Sequence, residues 1–278
     1  MTHRLTLASL ALAACAMGCS HVPSPLTPSV RGTVGLPHHG VLTDGVMLSQ
    51  EGPAHRWFNP DGRHYGTREI VDAIRFASSE VRRQYPNSPP LYVGDLSGRR
   101  GGRIPGHASH RTGRDADLLF YMTTLSGEPI DAAGFVKFGA DGLGAQAGNR
   151  GQQFVQFDLT RNWALVKGLV EAPGPGMVWV FVSRTLEALL TEYALARGED
   201  PVLVWHAECV MQQPRNALPH DDHFHIRIAC SPEQAVAGCE DSGPQWPWLP
   251  SPPSLPWPEA ENDVYAAIGV DTLPPMKP

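Results

Sequence analysis

His220-Asp221-Asp222-His223-Phe224-His225-Ile226-Arg227-Ile228-Ala229 is the stretch on which the fold turns. From His223 onward polar and apolar residues alternate. That is the period of a strand with one face on a core and the other free for polar groups. Phe224, Ile226 and Ile228 belong inside; His223, His225 and Arg227 share the other side. A second run, Asp115-Ala116-Asp117-Leu118-Leu119-Phe120-Tyr121, repeats the pattern with Asp115 and Asp117 set against Ala116, Leu118 and Phe120.

Outward from these runs, Ile70, Ala73, Ile74, Ala77 and Val81 recur at helical spacing, with Thr67 to cap the start and Pro86 to stop the helix. Helices are also expected over 158–171 and 184–196. Strands are expected at LYVGDL (91–96), DADLLFY (115–121), VWVFV (178–182), VLVWH (202–206) and HFHIRIA (223–229). Residues 132–152 read as Gly-rich and irregular. Trp163 reads as core and Arg161 as a buried ion-pair partner. The irregular alternation of elements implies an α+β fold, a mostly antiparallel sheet with helices packed on it.

The chain has 278 residues, 42% of them apolar, which is enough to build a core and excludes a wholly disordered chain. At roughly 150 residues per domain it holds one large domain or two small ones. A formal charge of −6 argues against a general nucleic-acid binder, since those are usually basic.

The ends differ from the middle. Residues 1–19 read as an export signal: Arg4, a short apolar run from Leu5 to Ala14, then small residues closed by Cys15 and Cys19. The run is too short to span a bilayer. Leu12-Ala13-Ala14-Cys15 and Ala16-Met17-Gly18-Cys19 are alternative lipoprotein-type cleavage sites, with Cys15 or Cys19 as the lipidated residue. Residues 20–36 read as a flexible linker, 37–242 as the main domain and 243–278 as a Pro/Trp-rich tail. Trp246, Trp248 and Trp257 favour a tail wrapped on the domain. In an oxidising compartment Cys230 and Cys239, which close a short loop, are expected to pair, leaving Cys209 free and buried.

Of the 12 histidines, five fall in two clusters that carry the chemistry: Gly106-His107-Ala108-Ser109-His110 running to Asp115-Ala116-Asp117, and His220 to His225. Neutral imidazoles with a carboxylate bind a borderline-soft divalent ion. Two histidines and one carboxylate leave a fourth tetrahedral position for water, the catalytic rather than the structural zinc pattern. His206 reads as a structural strand-end histidine, and Arg99, Arg100 and Arg103 as a solvated loop. Asp115 and His107 are candidates for orienting a ligand or touching substrate; for Asp222 the plain reading is a solvated or capping carboxylate.

His110, separated by six residues from Asp117 and followed far downstream by His223-x-His225, resembles the LAS group of zinc peptidases. Within it, Gly-His-x-Ser-His-x-x-Gly-x-Asp-x-Asp and His-Asp-x-His-x-His are similar to the penicillin-insensitive murein endopeptidases, as are GDLSGRRGGRIPGHASH and DLTRNWALV. The resemblance covers roughly residues 60 to 240. It implies a LAS-type fold; one Zn²⁺ held by His110, Asp117 and His225; His223 as catalytic histidine; His220 as a further active-site histidine; and a Cys230–Cys239 disulfide. The implied substrate is peptidoglycan, cut at D-alanyl–meso-diaminopimelyl cross-links without a serine nucleophile. The implied location is the periplasm, attached to a membrane only through the N-terminal lipid. The alternatives are a D-alanyl-D-alanine carboxypeptidase with the same ligands and a non-catalytic zinc- or murein-binding lipoprotein.

Overall fold

The computed structural model describes residues 32–60, 63–148 and 151–251. The expected signal, Cys15, Cys19, most of the linker, Trp257 and the tail beyond 251 lie outside the described residues. The elements in chain order are β1 (Thr33–Leu36), β2 (His39–Leu42), β3 (Val46–Met47), β4 (His55–Trp57), β5 (Tyr65–Gly66), α1 (Arg68–Gln84), β6 (Leu91–Val93), β7 (Asp115–Leu119), β8 (Met122–Thr124), β9 (Pro129–Ile130), β10 (Leu143–Gly148) and β11 (Gly151–Phe157). They continue with α2 (Leu159–Glu171), β12 (Met177–Phe181), α3 (Arg184–Ala196), α4 (Pro201–Val210), β13 (Met211–Gln212), β14 (His223–Ile228) and α5 (Pro232–Val236). Among the described residues no helix is long and apolar enough to cross a membrane.

The fold is α+β. Its main sheet has six strands in the order β13-β12-β14-β7-β6-β4. The sheet is mixed. β12, β14, β7 and β6 pair antiparallel in succession, and each outer strand, β13 on β12 and β4 on β6, is parallel. Phe224, Ile226, Ile228, Ala116 and Leu118 are buried in one core with Ile70, Ile74, Ala77 and Val81 of α1 and Trp163, Leu165 and Val166 of α2. The opposite side of β7 and β14 is left to the polar row.

The helices begin where the sequence offers caps. Thr67 Oγ1 accepts from Ile70 N, and Asp158 Oδ1 accepts from Arg161 N at 3.0 Å. Arg161 also reaches Asp158 Oδ2 at 2.7 Å and Ser88 Oγ at 2.8 Å, the half-buried ion pair expected of it. α1 and α2 cross closely at Gly168, where a Cβ would stand 2.9 Å from Ala77 Cα.

Three local expectations are corrected. VLVWH is helical within α4, not a strand. A short apolar run has no decisive period, and Asp200, which accepts from Val202 N at 2.7 Å, followed by Pro201 at the first turn, sets a helix start. Within 132–152, Leu143–Gly148 form β10, whose antiparallel partner β11 is itself paired to β8. Pairing, not side-chain pattern, makes these Gln- and Gly-rich residues strands. Residues 33–36 of the expected linker also form a strand: β1 pairs with β2, and Gly35 N donates to Gly238 O at 2.7 Å.

At the other end Trp246 Nε1 donates to Val178 O at 2.9 Å, and Leu249 packs with Val178 and Ala229, so residues 246–249 lie against the domain. Cys230 and Cys239 are joined, and Cys209 is free but half-exposed rather than buried.

Candidate active site

β7 and β14 are in register with His225 opposite Asp117 and Arg227 opposite Asp115. Directly opposed residues share a face, so the polar rows of the two strands meet as the alternation required. His110 arrives from the loop before β7. It is the one non-glycine residue with positive φ (63°) among those described, an uncommon conformation that surrounding contacts must hold. They are present: Ser97 Oγ donates to His110 O at 2.5 Å, and His110 Nδ1 lies 2.7 Å from Leu96 O.

That last contact fixes the tautomer. A carbonyl can only accept, so Nδ1 carries the proton and the Nε2 lone pair faces inward. His225 is set in the mirror sense. Its Nε2 lies 3.0 Å from Asp115 Oδ1, which leaves Nδ1 as the inward lone pair. The inward atoms form a tight triangle: His110 Nε2 to Asp117 Oδ1 3.3 Å, His225 Nδ1 to Asp117 Oδ1 3.1 Å, His110 Nε2 to His225 Nδ1 3.3 Å. Asp117 Oδ1 is buried without a hydrogen bond. Three acceptors so close repel unless a cation lies among them. Ligand bonds of about 2.0 Å at tetrahedral angles put ligand atoms about 3.3 Å apart. The residues therefore fit a small divalent ion with nitrogen and oxygen ligands.

Two overlapping triples also bring ligand atoms within 4.8 Å of one another: His107, His110 and Asp117, and His220, His223 and His225. The triangle across them is the better site. His107 is engaged elsewhere, with Nε2 2.8 Å from Asp95 Oδ2, and His223 Nε2 stands 3.5 Å from Asp117 Oδ1.

The groups around the triangle divide by position. Asp115 is fully buried, is absent from the cavity lining, and takes His225 on one side and Arg227 Nε at 2.7 Å on the other. It holds both side chains and does not face the cavity. Burial acts to raise the carboxyl pKa of Asp115 and of Asp117. Arg227 and His225 for the first, and His110, His223 and His225 for the second, outweigh it and hold both well below the usual carboxylate range. Asp222 is no mere solvated carboxylate, because its Oδ1 lies 2.6 Å from His223 Nδ1. Burial works against a charged His223, but the hydrogen bonds of Asp117 and Asp222 prevail and raise it to about 9. Burial, reinforced by His225 and His223, lowers His220 to about 4. His220 is thus neutral at pH 7, and among the described residues its imidazole makes no hydrogen bond.

These groups open into a cavity of about 740 Å³. Phe135, edge-on to His223 at 5.3 Å, and Phe181, 5.4 Å from His225, form its walls. Lys137 and Arg227 are the cations in the lining; Arg227 is committed to Asp115, and Lys137 has no ion-pair partner among the described residues. Arg99, Arg100 and Arg103 are exposed and outside the cavity. His206 stacks on Trp248 at 4.2 Å, away from it. Asp95, Lys137, Phe135 and Phe181 escaped the reading of the sequence. Asp95 follows β6 as an ordinary acidic residue would, and only the β6–β7 pairing brings it to His107.

A protein-family model described as penicillin-insensitive murein endopeptidase matches residues 33–133. Over that segment the chain is similar to the penicillin-insensitive murein endopeptidases. The matched segment contains His107, His110, Asp115 and Asp117, and the downstream histidines fall beyond it. A penicillin-insensitive murein endopeptidase of Haemophilus influenzae is 27% identical over 231 residues, 80% of this chain and 71% of that protein. One of Klebsiella pneumoniae is 25% identical over 250 residues, 87% of this chain and 82% of that protein.

Proposed function

We propose that this chain is a zinc-dependent murein endopeptidase that hydrolyses peptide cross-links of peptidoglycan, of the D-alanyl–meso-diaminopimelyl type, on a LAS-type scaffold. The carrying observation is the triangle of His110 Nε2, Asp117 Oδ1 and His225 Nδ1, each histidine locked in the tautomer that turns a lone pair inward. Held there, one Zn²⁺ supplies Lewis acidity toward the scissile carbonyl and the attacking water.

The chain's own residues do the rest. Asp222 fixes His223 through Nδ1 and turns Nε2 toward the ligand triangle; a divalent ion held there would offset the Asp117 charge that favours protonated His223, so that Nε2 could take a proton from the water and return one to the leaving amine. His220, as a neutral imidazole, donates an N–H to the developing oxyanion; a protonated His220 is not the form its surroundings favour. Asp115 holds His225, and Asp95 holds His107 beside His110. The substrate places the chain in the periplasm, and the signal-like start with Cys15 or Cys19 supplies a lipid anchor to an envelope membrane.

The test combines metal analysis with digestion of sacculi. His110→Ala and His225→Ala lose bound zinc and cross-link cleavage together. His223→Ala keeps the metal and loses turnover by a factor of roughly 10² or more. Full zinc occupancy in His110→Ala or His225→Ala would refute the ligand assignment. Mass spectrometry of the muropeptides decides the reaction: loss of dimers supports endopeptidase action, loss of terminal alanine makes the chain a carboxypeptidase, and chelator-insensitive or absent cleavage makes it a binder.

A further inference from the structure

One wall of the cavity continues outward as a row of aromatic rings. Phe181 and Trp179 lie on β12 opposite His225 and Arg227, on the face that carries the ligands. Phe181 lines the cavity and stacks on Trp179 at 5.4 Å with planes 25° apart. Trp246 meets Trp179 edge-on at 6.0 Å, and Trp248 stacks on Trp246 at 5.5 Å and 11°. Trp205 of α4 ends the row, 5.4 Å from Trp248 and 48% exposed. The row is partly open to solvent, and its exposed end is indole rather than aliphatic. Trp246 spends its N–H on Val178 O, whereas Trp179, Trp205 and Trp248 have no acceptor for theirs among the described residues.

We propose that this row binds the glycan strand of peptidoglycan and so presents the stem peptide to the cavity. The proposal rests on the murein-endopeptidase reading above. A pyranose ring has an apolar face of C–H groups that lies flat on an indole, with hydroxyl and acetamido groups at its edge to take the free N–H donors. The span agrees. A stem of about four extended residues at roughly 3.3–3.6 Å each reaches about 14 Å from sugar to scissile bond. Three ring-to-ring steps of 5.4, 5.4 and 6.0 Å lead from His225 to Trp246, a path of similar length. A peptide in the cavity thus leaves its sugar over Trp246, Trp248 and Trp205.

The test uses the full chain, glycan strands stripped of peptide by an amidase, and two cleavable substrates: a cross-linked muropeptide with its sugars and the same cross-linked peptide without them. Trp205→Ala removes the most exposed ring, and Trp248→Phe keeps the packing while removing the indole. The parent protein is expected to co-sediment with peptide-free strands, and each variant to bind them about threefold to tenfold less tightly. KM should rise by the same factor on the sugar-bearing substrate alone, with kcat unchanged. Equal retention of strands by parent and variants overturns the proposal, as does an equal loss on both substrates, which marks a structural role. Tenfold tighter strand binding after removal of residues 252–278 also overturns it, since the row then belongs to the tail. A parent that binds strands but cleaves neither substrate refutes the endopeptidase reading and leaves the glycan site standing; one that cleaves but does not bind strands does the reverse.

Discussion

Asp115→Asn separates orientation of the site from occupancy of it. Asp115 Oδ1 holds His225 Nε2 at 3.0 Å and Arg227 Nε at 2.7 Å, all three groups being buried. Asparagine keeps the shape and one acceptor but removes the charge. At about 4 Å between charge centres and an effective dielectric constant of about 20, the lost attraction to Arg227 is about 4 kcal/mol. Not having to desolvate a carboxylate returns part of this, so a net destabilisation of about 3 kcal/mol is expected for the metal-free protein. His225 also loses the carboxylate that makes it a stronger donor, and removing such a partner weakens metal binding about 10- to 100-fold. Urea unfolding of the metal-free protein and zinc titration against a competing chelator measure the two effects. At about 2–3 kcal/mol per molar urea the midpoint should fall by about 1 M or more. A zinc affinity within twofold of the parent, with the midpoint unmoved, would show that Asp115 neither orients His225 nor neutralises Arg227.

Two other changes probe different parts of the molecule. Lys137→Gln removes a cation of the cavity lining that has no ion-pair partner among the described residues, and is expected to raise KM about fivefold to tenfold for cross-links with a free carboxylate, with kcat near that of the parent; unchanged KM on free-carboxylate and amidated substrates would place Lys137 outside the substrate's reach. Gly168→Ala forces a methyl group to within 2.9 Å of Ala77 Cα, and after the better helix propensity of alanine is allowed for it should cost about 1–2 kcal/mol, a fall in Tm of roughly 2–8 °C by calorimetry.

Much of this was readable in the sequence, and for definite reasons. The alternation in HFHIRI and DADLL states which side chains share a face, and the observed register of His225 on Asp117 is its direct consequence. α1 was legible because cap, apolar stripe and stop signal agree. VLVWH was misread because five residues are too few to separate strand from helix, and the deciding cap stands just before them. β10 was missed because its residues carry little strand preference and owe their state to β11. The parallel outer strands were invisible because strand direction across a sheet depends on crossovers no local pattern records. The same limit hid Asp95 and Phe181, which join the site through neighbouring strands rather than through a motif.

The opposition of His225 and Asp117 also governs when the molecule becomes dangerous to its own wall. Side chains alternate along each strand, so a slip of one residue between β14 and β7 turns the imidazole inward among the helices and lifts Phe224 into its place. A slip of two keeps the polar row on its face but sets His223, which is held by Asp222, opposite Asp117 in place of His225. The proposed hydrolytic centre therefore depends on one pairing of β7 with β14, and a chain in which the two strands have not met lacks it.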